Sequence, residues 1–297
     1  MRWDDSHESP DVIDRRGEER DEPFGGGFGG GGMGGLFFLL PWLLRTPFGW
    51  VVILGAIVFY TARGVLGGLT NAPRAHGGSF PQSHIAAETP EVHFVGFVLD
   101  DVQKTWEQQF QATGHPYRHA KLVLYTDATR TGCGEGDAAT GPFYCPTDER
   151  VYIDLGFYRE LAGELGARGQ FAQAYVVAHE MGHHVQNLLG ISQRVERMRH
   201  TQGASGASVR LELQADCFAG IWARSTQQRN LLEEGDIASA VGAAAAVGDD
   251  RLQRMANGTV SPESWTHGSS AERMRWFKRG FDNGTIAACD TFAARDL

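Results

Sequence analysis

The run AYVVAHEMGHHVQNLLG, Ala174 to Gly190, sets three histidines and one glutamate inside an otherwise apolar segment. Its spacing predicts a helix over 170–189, and an apolar helix must find a partner for each polar group it buries. His179, Glu180, Met181, Gly182 and His183 spell HExxH. Residues four apart stack on one helix face, so His179 and His183 can grip one zinc ion through bonds of ~2.0–2.1 Å. Glu180 follows His179 directly and points beside the metal, where it can take a proton from a water. His184 lies about 140° round the helix from His179, which assigns it to packing or hydrogen bonding.

A metal site needs a third ligand. The pattern HExxHxxGxxH would require Gly at 186 and His at 189, but Gln186 and Leu189 stand there. The segment VRLELQADCFAGIWA reads as a second helix, expected over 206–227, with Glu212 and Asp216 four apart among apolar residues. A carboxylate pair in such surroundings needs a cation or donors. Glu212 is the expected third ligand. Asp216 is expected to accept the hydrogen bond of a ligand histidine's far nitrogen and fix its tautomer. One zinc per chain, with water in the fourth position, completes the expected site. His267 precedes Ser269 and Glu272, which fit a capping box that starts a helix. It is a candidate catalytic donor to a developing oxyanion, or else a surface-loop histidine.

The rest of the 297-residue chain is organised around this pair of helices. Net charge is −9, which argues against a nucleic-acid-binding surface. Nine acidic residues and four arginines precede Pro23, and this polar composition reads as disordered. Phe24 to Gly35 is a glycine linker, so 1–35 forms a disordered acidic tail and linker. Residues 36–66 form an apolar anchor region, with one transmembrane helix expected near 46–66 and Arg45 placed to snorkel. Residues 67–89 are rich in Gly, Pro, Ser and Ala and read as a linker. A domain at 90–297 follows. PEVHFVGFVLDDVQKTWEQQFQATG predicts a long helix ending at Gly114, with Val95, Val98, Val102, Trp106 and Phe110 on one face. Strands are expected at 121–126 and 151–154, and further helices at 155–165, 232–247 and 270–281. The fold class is therefore α+β, helix-rich with a small sheet. The strand at 151–154 is either a sheet edge that binds an extended peptide beside the metal or an ordinary core strand.

Cys133, Cys145, Cys217 and Cys289 contain no CxxC pair, and their even number fits two disulfides in an oxidising compartment. Bridging Cys133 to Cys145 would contribute ~3 kcal/mol on the chain-entropy model and leave Cys217 for Cys289. Three connectivities are open at this stage.

The segments HEMGHHVQ, ELQADCFAGIWA, SWTHGSSAERMRWFKRGF and CDTF resemble the bacterial family of "putative neutral zinc metallopeptidases". The opening MRWDD and VIDRRG are similar to that family's N-terminus. The resemblance implies a zincin-like fold and metal-dependent hydrolysis of a peptide or protein substrate. It carries over Glu212 as ligand and Asp216 as the residue behind a histidine. The expected setting is a bacterial cytoplasmic membrane, crossed once, with the domain on the periplasmic or extracellular side. The competing expectation is a non-catalytic extracytoplasmic binding module stabilised by zinc. Sequence leaves the oligomeric state open.

Overall fold

The computed structural model describes residues 1–18, 89–197 and 206–297. The first helix, α1 (Thr89–Thr113), buries Val95, Val98, Val102, Trp106 and Phe110 together with Phe94 and Leu99. Gly114 ends it at φ +74°, a conformation glycine adopts without strain.

A four-stranded sheet follows, built from β1 (Val12–Asp14), β2 (Lys121–Tyr125), β5 (Phe143–Cys145) and β6 (Arg150–Asp154). Its order is β1-β2-β6-β5, with β1, β2 and β6 parallel and β5 antiparallel to β6. A hairpin of β3 (Ala128–Thr131) and β4 (Gly134–Asp137) forms a separate ribbon. Side chains alternate across the sheet as the period of two requires. Leu122, Leu124, Val151 and Ile153 join the main helical core, whereas Val123, Tyr125, Tyr152 and Cys145 form a small second cluster. The strand expected at 151–154 is β6. It pairs on both sides, so the sheet edge that packs on the helix at Gln170–Leu188 is β5, a strand too short to leave a period-two signal.

The remaining helices are α2 (Gly156–Gly163), α3 (Gln170–Leu188), α4 (Ile191–Arg197), α5 (Ala207–Gln228), α6 (Asp236–Ala246), α7 (Asp249–Asn257) and α8 (Ser270–Asn283). The central helix α3 packs on α1, α5 and α6, and α8 packs along α5. The α5–α8 crossing is close because Gly220 and Gly280 face backbone. A Cβ on Gly280 would meet the Cys217 carbonyl oxygen at 1.8 Å. The Ser269–Glu272 capping box starts α8 as expected. Two disulfides are present, Cys133–Cys145 and Cys217–Cys289.

Residues 1–18 depart from the expected disordered tail. They fold onto the domain, with β1 in the sheet, Trp3 edge-on to Phe94 at 5.2 Å, and Asp11 and Arg16 buried. The acidic residues looked like solvated charge, but Asp11 accepts from Gln103 (2.8 Å) and pairs with His119 (2.7 Å) and Lys121 (2.5 Å). All three partners are remote in sequence, so composition alone misread the segment. The glycine linker, the span expected at 46–66 and the linker up to residue 88 lie outside the described residues. Among the described residues no helix is long and apolar enough to cross a membrane.

Candidate active site

Helix α3 is buried almost all round. His179, Glu180, His184 and Gln186 are each at most 7% exposed. Each such group costs several kcal/mol if left unpartnered, so the partners reveal what the helix is built for.

His179 and His183 turn their Nδ1 atoms away from each other's side of the site and their Nε2 atoms toward a shared point. His179 Nδ1 lies 2.9 Å from Asp216 Oδ1, and His183 Nδ1 lies 2.9 Å from Gln186 Oε1. Their Nε2 atoms lie 3.2 and 3.4 Å from the two carboxylate oxygens of Glu212. The three groups offer ligand atoms that all fall within 4.8 Å of one another. A tetrahedral shell with bonds of about 2 Å puts neighbouring donors about 3.3 Å apart, so the arrangement fits a zinc ion. With Nδ1–H donated to Asp216 or Gln186, each Nε2 keeps its lone pair for a metal.

Close approach of α3 and α5 makes this convergence possible. A Cβ on Gly182 would sit 3.0 Å from the Ala215 backbone. Any larger residue would push α5 outward and draw Glu212 off the imidazoles.

Asp216 is fully buried and has a cation of its own. Arg273, from α8, grips it with Nε at 2.8 Å and a second nitrogen at 3.0 Å. The Tyr175 hydroxyl donates to Asp216 and accepts from Arg273 at 3.1 Å. Burial opposes ionisation of Asp216, but Arg273 and His179 hold its pKa below the ordinary carboxylate range. Burial likewise opposes a charge on His179. Asp216 and Glu212 outweigh that and push its pKa up to about 10. Glu212 is held well below its usual range against burial by the two imidazoles.

Glu180 is displaced the other way: burial raises its pKa, and the neighbouring imidazoles only partly offset this. It lines a cleft of ≈ 800 Å³ with His179, His183, Glu212, His267 and the β5 residues Phe143 and Tyr144. His267 sits on the rim, half-exposed, with Nδ1 3.1 Å from Asp249 Oδ1. Asp249 Oδ2 accepts from the backbone N–H groups of Thr266, His267 and Gly268, which fixes the loop under the ring. The hydrogen bond to Asp249 raises the pKa of His267 despite burial.

His184 belongs to a different cluster. It is fully buried, with Nδ1 3.0 Å from the Tyr144 hydroxyl and Nε2 2.7 Å from the Arg118 carbonyl, and so ties β5 to the back of α3.

Tyr175, Gln186, Asp249 and Arg273 were not singled out for the site from sequence. Tyr175 and Gln186 carried a usable signal, standing four before His179 and three after His183. Arg273 and Asp249 carried none, since only the packing of α8 and α7 brings them in.

Comparison with known proteins agrees with this geometry. A family model described as "Putative neutral zinc metallopeptidase" matches residues 1–292. The chain is 46% identical over 298 residues to "Uncharacterized protein YpfJ" of Escherichia coli K12, covering 98% of this chain and 99% of that protein. It is also 46% identical over 192 residues to "Uncharacterized protein Rv2575" of Mycobacterium tuberculosis H37Rv, covering 61% of this chain and 65% of that one. No solved structure matches the chain. On the strength of the family match and the full-length similarity, this chain belongs to the family described as putative neutral zinc metallopeptidases.

Proposed function

We propose that this chain is a zinc-dependent endopeptidase, held at a membrane by its apolar segment, with its domain in an oxidising extracytoplasmic compartment. The observation that carries the reading is the convergence of two ring nitrogens and one carboxylate beside a buried glutamate at the floor of an open cleft.

His179, His183 and Glu212 would hold the zinc. When bound it supplies a Lewis acid that polarises the scissile carbonyl and acidifies a water toward a pKa of ~7. Glu180 accepts the proton of the attacking water on its carboxylate and passes it to the nitrogen of the leaving amine. Asp216 and Gln186 keep the two imidazoles oriented through their Nδ1 atoms. His267, with Nδ1 engaged by Asp249, has Nε2 left to donate to the developing oxyanion.

An extended peptide fits along the free edge of β5, whose backbone can extend the sheet while Phe143 and Tyr144 alternate between faces. Cys145 closes that strand, and its bridge to Cys133 holds the loop that leads into it. Two disulfides in a chain with no free cysteine support an oxidising compartment.

A non-catalytic zinc module would close its site with a fourth protein ligand. Among the described residues the metal-capable group has three members, which favours an open, catalytic position. The test is cleavage of a denatured casein or peptide library by the full chain, with and without chelator. Chelator-sensitive cleavage restored by added zinc is the expected result. A zinc-loaded chain that cleaves no library member would sink the reading.

A further inference from the structure

The cleft runs along α3 and continues past the metal group on both sides. Val176, Glu180, His183 and Asn187 line it, and their helical spacing puts them on one face of α3. From Val176 to Asn187 is about 17 Å at the helical rise. An extended peptide of about five residues matches that length. Val176 lies one turn, about 6 Å, before Glu180. Neighbouring residues of a peptide are about 3.8 Å apart, so the side chain beside the scissile bond reaches the Val176 end of the cleft.

That end is walled by apolar side chains. Helix α2 turns Tyr158 and Leu161 into the core and presents Phe157 and Glu160, three apart, to the cleft. Burial, and then the charge of Glu180, hold the Tyr158 phenol above its ordinary pKa, which sets α2 beside Glu180. Leu165, Val247 and Leu252 also line the cleft. Arg251 donates to the Leu165 carbonyl at 2.8 Å and so joins the first turn of α7, which carries Leu252, to the segment after α2. Arg273 donates to the Val247 carbonyl at 3.3 Å and to the Tyr175 hydroxyl at 3.1 Å, which sets Val247 beside the Val176 turn. Glu160 is exposed at the rim. Among the described lining residues the one lysine or arginine is Arg273, which is 3% exposed and held by Asp216. An acidic side chain entering here meets apolar walls and a second carboxylate, both of which oppose it.

We infer that this end of the cleft is a specificity pocket for a large apolar side chain, aliphatic or aromatic, on a residue flanking the scissile bond, and that Glu160 turns acidic side chains away from it. The inference rests on the peptidase reading and adds to it the class of peptide that is cut. Seating such a side chain takes apolar surface of both partners out of water, whereas seating a charged one strips its hydration with no partner to replace it.

The test gives the full, zinc-loaded chain a set of peptides that differ only at the residues flanking the cleaved bond. Peptides with Leu or Phe at one flanking position should be cleaved at least about 10-fold faster, in kcat/KM, than those with Lys or Asp there. Leu252→Asp sets a carboxylate in the apolar wall, so the preference for Leu over Lys should fall by at least about 10-fold. Glu160→Lys changes an exposed residue and covers the case in which Leu252→Asp does not fold. It should raise cleavage of the Asp peptide relative to the Leu peptide by roughly 10-fold. Calorimetric titration of zinc-loaded Glu180→Gln with the same peptides reads the preference as a ratio of Kd without turnover. Chelator-sensitive cleavage with no flanking preference, or a preference that both variants leave unchanged, would overturn the pocket and leave the peptidase reading standing. Preferential binding of the Leu peptide with no cleavage by the unaltered chain would sink the peptidase reading and uphold the apolar pocket. Neither cleavage nor a binding preference would overturn both.

Discussion

Two histidine clusters in this molecule look alike in acidity and differ in what they ask for. In the N-terminal clamp, His119 lies between Asp11 (2.7 Å) and Glu107 (2.6 Å), and Lys121 adds a cation on Asp11. In the cleft, His179 lies between Asp216 (2.9 Å) and Glu212 (3.2 Å). Both imidazoles have raised pKa values. The difference is in the rest of each cluster. The clamp matches each carboxylate with donors and is half-open to solvent. In the cleft, Arg273 sits behind Asp216, and Glu212 is left facing two imidazoles across a gap of ligand size. A raised histidine pKa thus does not mark a functional site here. Acceptors that converge on a common point in a buried setting do.

The comparison can be broken most severely at Arg273. Arg273→Met leaves Asp216 as a buried charge with its main cation gone, and loss of one partner of such a pair costs about 3–5 kcal/mol. Thermal unfolding should show a large drop in Tm, whereas Lys121→Met in the exposed clamp should shift it little. Equal shifts would erase the distinction between the clusters.

The cleft's rim offers the next largest effect. Removing one oxyanion donor typically costs at least about 100-fold in kcat, so His267→Ala should lower kcat by roughly that factor. Asp249→Asn should act through pH. The Asp249 hydrogen bond is the main cause that raises His267, so His267 in the variant loses its proton at lower pH. If protonated His267 is the donor, the alkaline limb of the rate profile moves to lower pH. An unmoved limb would remove His267 from the chemistry.

Asp216→Asn tests the orienting role. It keeps the shape and removes the charge behind His179, and such changes typically weaken metal binding by about 10–100-fold. Zinc competition against a chelating dye measures this directly. Unchanged affinity would make Asp216 a fold residue only.

The smallest effect is expected in the clamp. His119 is raised in the folded chain, so its contribution is complete below its ordinary value near 6.5 and fades as pH rises through the raised one. The Leu122 amide, which donates to the Asp11 carbonyl at 2.8 Å, should lose hydrogen-exchange protection as pH rises. His119→Asn should flatten that dependence. A protection factor independent of pH in the unaltered chain would contradict it.

The same contrast explains what could be read from sequence. His179, Glu180 and His183 share one helix, and Glu212 and Asp216 another, so helical periodicity alone groups each set. Their meeting needed only the assumption that both helices are buried. Asp11 was misread because its partners lie at 103, 119 and 121, and a three-residue strand leaves no pattern. Strand β5 was missed for the same reason, so of the two readings open for 151–154 the structure gives the core strand, and the edge is β5. Arg273 and Asp249 entered the site through helix packing that no local spacing encodes. The long apolar run suggested a single crossing, and that run lies outside the described residues.

The most direct test of the central claim measures zinc content and peptide cleavage on the same preparations of Glu180→Gln and Glu212→Gln. The account predicts that Glu180→Gln retains about one zinc per chain and loses cleavage by at least about 100-fold, while Glu212→Gln loses the metal and the activity together. Cleavage by Glu180→Gln at the unaltered rate, or full zinc retention by Glu212→Gln, would contradict it.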